Sequence, residues 1–244
     1  MKLLGLIGGT GLDRWGSLGK EIQGETPFGS TSAPIAVYEI GRAHVYFIPR
    51  HGLVHSIPPH RVNYCANLWA LKQAGVEQVL AVNAVGGITG GYTEGSLTIP
   101  SQLIDYTWGR IQSFSDDESA ALQHIEFANP FAGPLRERVL EAGQACGIRL
   151  IDGGCIGVMQ GPRLETAAEI ARMNTDGCDM VGMTSMPEAA LARELGLDYA
   201  SICVIANPAA GVSERPITLE DIEATLGPAM EKVRALIAAV CERL

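Results

Sequence analysis

The stretch Leu3-Leu4-Gly5-Leu6-Ile7-Gly8-Gly9-Thr10-Gly11 is an apolar run that passes directly into a glycine loop. It reads as a buried strand entering a tight turn. The same pattern returns along the chain. Residues 35–39 and 44–48 read as a strand pair with Gly41-Arg42 as the turn. Residues 79–82 form a short apolar run that ends in Asn83-Ala84-Val85-Gly86-Gly87. Further strands are predicted at 97–100, 102–106, 155–159, 180–183 and 199–205. Helical patterns lie between them at 61–74, 135–146, 166–174, 187–195 and 219–243, and Gly75 is placed to end the first. Strands alternating with helices predict an α/β fold, a three-layer sandwich with a central mixed sheet in one domain over 1–244. The polar stretch 112–129 reads as a long loop of the kind that often carries function.

Composition narrows the function. The chain has 244 residues, 47% hydrophobic and 18% charged, so it can bury a full core and is not a disordered chain. Its net charge of −9 makes it a poor general partner for nucleic acid or an anionic membrane. An anionic ligand must therefore be held by a local site. The six cysteines show no C-x-x-C spacing and no zinc-like cluster with histidine, so they read as core residues of a protein in a reducing compartment. No secretory segment opens the chain, and no apolar run reaches the ~18 residues that span a membrane. The expected location is cytoplasmic.

The glycine loop lets backbone N–H groups approach an anion closely, and Thr10 adds a hydroxyl. It fails the dinucleotide fingerprint, which needs glycine where Arg14 stands, and it lacks P-loop spacing. Alone it fits a tight strand-to-helix turn equally well. Arg50-His51-Gly52 follows another strand, and an arginine there suits either bidentate phosphate recognition or a surface ion pair. Asn83 to Gly87 and Met183-Thr184-Ser185 are further polar turns at strand ends, where ligands of open α/β sheets gather. Several converging donors in an acidic chain favour a small anionic co-substrate over a polymer.

Taken together, these segments resemble the trimeric purine nucleoside phosphorylase and methylthioadenosine phosphorylase family. The resemblance runs through Ile7 to Leu12, Thr26-Pro27-Phe28-Gly29, Arg50-His51-Gly52, Val62-Asn63-Tyr64, Gly161-Pro162-Arg163 and Met183 to Glu188. It implies phosphorolysis: nucleoside plus inorganic phosphate gives free purine plus a sugar 1-phosphate, without metal or organic cofactor. It implies that Thr10, Arg50, His51, Asn83, Ala84 (through its N–H) and Thr184 hold phosphate and that Met183 lies against the ribose. It also implies a homotrimer with shared sites, small-molecule partners only, and no nucleic acid or membrane.

The resemblance divides at the base. The adenine-specific branch carries Thr-Asp-Tyr-Asp where this chain has Ala206-Asn207-Pro208-Ala209, and Asn207 matches the asparagine of the 6-oxopurine branch. Its amide can donate to O6 and accept from a protonated N7. Glu165 matches the same branch, and a carboxylate accepts the N1–H of hypoxanthine or guanine but repels the lone pair at adenine N1. The competing reading of Glu165 is a solvated charge at a helix start. Leu164 stands where the family usually has phenylalanine, so an aliphatic wall faces the base. Asn207 and Glu165 are the expected catalytic pair.

At the sugar, a gapped match puts Leu219 where ordinary purine nucleoside phosphorylases carry a histidine for the 5′-hydroxyl. Leucine packs against a methylthio group instead; its alternative is a core position in the last helix. His124, near Asn129-Pro130-Phe131, resembles the methylthio-branch histidine that closes the 5′ pocket from a neighbouring subunit. Compared with the longer methylthioadenosine enzymes, the chain is short at its C-terminus, which implies a more open 5′ pocket. The combined expectation is phosphorolysis of a 6-oxopurine nucleoside bearing a 5′-methylthio group. The alternatives are a general inosine/guanosine phosphorylase, a methylthioadenosine phosphorylase, and a non-catalytic nucleoside sensor. His55 matches a position near the site, without an assigned role.

Overall fold

A computed structural model describes residues 2–16, 20–115 and 122–244. The opening strand β1 (Lys2–Gly8) is solvent-exposed only at its start, and its last five residues are buried. It pairs in parallel with two neighbours, so both of its faces need apolar side chains. Other short strands precede the hairpin: β2 (Lys20–Ile22), β3 (Glu25–Thr26) and β4 (Gly29–Ser30). The hairpin itself is β5 (Ile35–Ile40) with β6 (Ala43–Pro49), antiparallel as the sequence predicts. Then come α1 (Tyr64–Gln73), β7 (Gln78–Gly87), β8 (Leu97–Ile99), β9 (Gln102–Asp105) and α2 (Pro134–Ala145). β10 (Leu150–Asp152), β11 (Cys155–Val158), α3 (Ala167–Asp176), β12 (Met180–Gly182), α4 (Ser185–Glu194), β13 (Asp198–Pro208) and α5 (Leu219–Cys241) complete the chain.

Eleven strands form one mixed sheet with the path β10-β8-β13-β7-β1-β6-β5-β2, and β12, β11 and β9 branch from β7. Strand alternation sends the side chains to two helical layers. Leu80 and Val82 of β7, with Ala200, Ile202 and Val204 of β13, pack with α2 and α5. Val79 and Ala81, with Tyr199, Cys203 and Ile205, pack with α1 and α4. This is the three-layer sandwich that the alternating sequence predicts.

Some boundaries differ. The predicted helix 61–74 begins later, because Pro59–Arg61 makes a 3₁₀ turn and the Asn63 side chain caps α1 by accepting from the Ala66 N–H at 3.0 Å. Three-residue β10 lacks the length to stand out in sequence. The stretch 112–129 carries no helix or strand among its described residues, and 116–121 lie outside them. Cys146 is exposed, unlike the core position expected of it, because it is the C-cap of α2. No helix among the described residues is long and apolar enough to cross a membrane.

The four central strands β6, β1, β7 and β13 run parallel and end on the same edge. That edge carries Gly8-Gly9-Thr10, Arg50-His51, Asn83-Ala84 and Ala206-Asn207 within a few residues of each strand end.

Candidate active site

A cavity of about 410 Å³ opens at this edge. Thr10, Arg50, His51, Asn83, Ala84 and Thr184 lie on one part of its wall. Leu164, Glu165, Met183, Asn207 and Leu219 lie on the rest. Every residue that sequence reasoning placed in the site is therefore on this wall, except His124. That side chain is exposed and lies outside the cavity of a single chain.

The glycine loop is dictated by close approach. A Cβ on Gly9 would stand 2.4 Å from the Val82 carbonyl oxygen and 2.9 Å from Arg50 Nη1. Neither atom can retreat, since the Arg50 guanidinium is buried and donates to that same carbonyl at 3.0 Å. Only glycine lets the loop lie on β7. Thr10 stands just beyond, with neither its N–H nor its hydroxyl bonded among the described residues.

Arg50 is not the surface ion pair that the sequence left open, and its bidentate face does not point at a free anion. It is fully buried, and its Nε and Nη2 donate to the two oxygens of Glu188 at 2.8 and 2.7 Å. Tyr199 donates a third bond to Glu188 at 2.9 Å. Burial opposes the charge on Arg50, but Glu188 overrides it and the pKa is raised. Of the five guanidinium N–H groups, three are committed to Glu188 and Val82, which leaves two for a ligand.

His51 lies at the same edge. Its Nδ1 is 2.8 Å from the Ile57 carbonyl, which only accepts, so Nδ1 carries the hydrogen and Nε2 the lone pair. Burial and the neighbouring Arg50 push its pKa down to about 4, so the ring is neutral at pH 7. With Arg50 balanced by Glu188, this part of the wall presents oriented N–H and O–H groups rather than net charge.

Asn83 and Thr184 are linked. The Thr184 hydroxyl donates to Asn83 Oδ1 at 2.8 Å, and Asn83 Nδ2 donates to Ser201 at 2.6 Å. The Asn83 side chain thus supports Thr184, and it also lies on the cavity wall with a second Nδ2 hydrogen beyond the one given to Ser201. To donate to an anion, the Thr184 hydroxyl must rotate away from Asn83.

At the other end, β13 slips register between Ile205 and Asn207, one extra residue against Val85 and Gly86. Such a bulge re-aims a side chain, and Asn207 reaches the cavity wall. Its Nδ2 donates to the Pro208 carbonyl at 2.7 Å, leaving one N–H and the oxygen. Glu165 is buried rather than solvated, and burial raises its pKa. Leu219 is 78% exposed, so it is not a core residue of α5. It follows the Thr218 cap and meets the cavity at the helix start. Leu164 is also exposed.

Sequence reasoning missed the role of Glu188. The available signal was physical: a buried arginine needs a carboxylate, and Glu188 is the acid in the Met183–Glu188 segment. Ile57, whose carbonyl sets the His51 tautomer, carries no signal in its side chain.

The model of the phosphorylase superfamily matches residues 3–242. The chain belongs to the phosphorylase superfamily. A relative from Xanthomonas campestris named probable S-methyl-5′-thioinosine phosphorylase is 48% identical, over 96% of this chain and 95% of its own. A Dictyoglomus turgidum protein named probable 6-oxopurine nucleoside phosphorylase is 39% identical, over 99% of this chain and 91% of its own. Among solved structures, methylthioadenosine phosphorylase from Schistosoma mansoni in complex with adenine matches with a TM-score of 0.93 at 30% identity. That match covers 99% of this chain and 91% of the other. Superfamily membership agrees with the enzyme class and fold expected from the sequence.

Proposed function

We propose that the protein catalyses phosphorolysis of S-methyl-5′-thioinosine, giving hypoxanthine and 5-methylthioribose 1-phosphate. The observation that carries this reading is one cavity that holds Glu165 and Asn207 together with the exposed side chains of Leu164 and Leu219. The polar pair suits a 6-oxopurine, and the leucines suit an apolar base face and 5′ substituent. The Xanthomonas relative's name supports the same substrate.

Phosphate sits against Thr10, the Ala84 N–H, the free Arg50 N–H groups, His51 and Thr184. A phosphate oxygen attacks C1′ as the C1′–N9 bond breaks, and the bonding pair leaves with the purine. The sugar becomes oxocarbenium-like in the transition state, and the bound phosphate supplies both nucleophile and counter-charge. Asn207 stabilises the departing base at its O6/N7 edge, and Glu165 accepts from N1–H. Inorganic phosphate is the co-substrate. Adenine nucleosides present a lone pair to Glu165 and lose that bond, which argues against a methylthioadenosine enzyme.

His124 completes the 5′ pocket from a neighbouring copy in a homotrimer, which accounts for its place outside the single-chain cavity. The enzyme acts in the cytoplasm. A second reading, a general 6-oxopurine nucleoside phosphorylase, draws support from the Dictyoglomus relative and the same base residues.

The deciding experiment compares kcat/KM for phosphate-dependent base release from methylthioinosine, inosine, methylthioadenosine and guanosine. Preference for methylthioinosine over the other three is expected. Comparable use of inosine replaces the proposal with the second reading, and preference for methylthioadenosine overturns the base assignment.

A further inference from the structure

Arg110 follows β9 and is not on the cavity wall. It nevertheless ties together three segments that are. Its Nη1 donates to the Met183 and Met186 carbonyls at 2.8 and 2.6 Å and reaches the Tyr64 hydroxyl at 3.3 Å. Its Nη2 donates to the Met159 and Gln160 carbonyls at 3.2 and 2.8 Å. Its Nε donates to Gln160 Oε1 at 3.1 Å. The guanidinium also lies over the Tyr64 ring, 5.8 Å from the centroid. All its donors are turned to backbone and neutral side-chain acceptors, with no carboxylate partner among the described residues.

Gln160 begins the segment that carries Leu164 and Glu165. At its far end this segment is fixed by the Thr166–Glu169 capping box, reinforced by Arg163 on Glu169. At its near end the carbonyls of Met159 and Gln160 and the Gln160 side chain converge on Arg110. The gap it must hold is tight, because a Cβ on Gly161 would stand 2.6 Å from Met183 Sδ. Thr184 differs, since it has its own anchor in Asn83.

We infer that Arg110 is a positioning residue that holds the base-facing segment 160–165 at a fixed distance from Met183, and so sets nucleoside affinity separately from phosphate affinity. This rests on the reading of the cavity as a nucleoside site. A planar guanidinium can bridge four carbonyls at once, while a lysine ammonium, with three donors on one atom, cannot.

The test uses full-length R110K and R110A with wild type as reference, varying methylthioinosine at saturating phosphate and then the reverse. The nucleoside KM is expected to rise at least about tenfold in both variants, since misplacement near 1 Å is felt on the order of 10²-fold. The phosphate KM should stay within about twofold. A nucleoside KM unchanged in R110K, or both KM values rising together, overturns the inference. So does loss of folded protein in both variants by circular dichroism, which assigns Arg110 to general stability. Should wild type prefer another nucleoside, only the substrate proposal falls, and the same comparison is run with that nucleoside.

Discussion

Phosphate should enter this site with an O–H directed at His51, and an oxyanion that lacks one should show it by binding more weakly. The Ile57 carbonyl fixes the hydrogen of His51 on Nδ1, so the other ring nitrogen is a lone pair. With its pKa near 4, the ring is neutral over the working range. The groups that face it are Arg50 and His55, which disfavour its charge, and Asp13, which favours it. The His55 ring lies tilted against it, 4.7 Å between centroids and 36° between planes, and is held by Asp13 at 3.0 Å. Both the monoanion and the dianion of phosphate carry at least one O–H, and that O–H can donate to the lone pair of His51. An oxyanion without an O–H, such as sulfate, sets a bare negative oxygen against the same lone pair and loses the bond. A hydrogen bond to a charged group is worth about 1.5–3 kcal/mol, so sulfate should bind on the order of 10- to 100-fold more weakly than phosphate. Calorimetric titration of each anion near pH 7, and sulfate inhibition of phosphorolysis at saturating nucleoside, measure this. The KM for total phosphate should stay within about threefold from about pH 6 to about pH 9, because both ionisation states keep the donor. Sulfate binding as tightly as phosphate would refute the reasoning.

Other predictions follow from the same geometry. Removing Glu188 strands a buried guanidinium, so Glu188→Ala should lower unfolding stability by about 3–5 kcal/mol, read as the urea midpoint; a loss under 1 kcal/mol means that water reaches Arg50. The depressed pKa of His51 means that the unfolded chain binds the extra proton. Stability present above about pH 6.5 should therefore decline by about 3 kcal/mol as pH falls to about 4, and His51→Asn should remove most of that slope in urea melts. Asn207→Asp should cut kcat/KM for 6-oxopurine nucleosides on the order of 10²-fold; unchanged base preference contradicts its place at the O6/N7 edge. Leu219→Ser removes apolar surface worth about 1–2 kcal/mol, so the methylthioinosine-to-inosine ratio of kcat/KM should fall about tenfold; a constant ratio separates Leu219 from the 5′ group.

Much of this protein is legible in its residues because the signals are local. Apolar runs of strand length between helical periods determine the layered α/β class. Glycines at 8 and 9, Arg50-His51, and the 161–166 and 183–188 segments determine the family, since each is a short string whose chemistry survives without coordinates. The Thr166 capping box is likewise a local pattern. The tertiary structure alone decides how those strings meet. Whether Arg50 faces a ligand or a carboxylate depends on Glu188, which is 138 residues away in sequence. The His51 tautomer depends on a backbone carbonyl that no side-chain code announces. Asn207 reaches the cavity through a one-residue slip in β13, and Leu219 is exposed through its place at a helix start, although leucine by composition belongs in a core. Arg110 is the clearest case: an isolated arginine just before a polar stretch becomes the tie between the ends of β11 and β12 and the start of α1. Residue type fixes which bonds a side chain can make, and only the packed fold fixes which partners are close enough to make them.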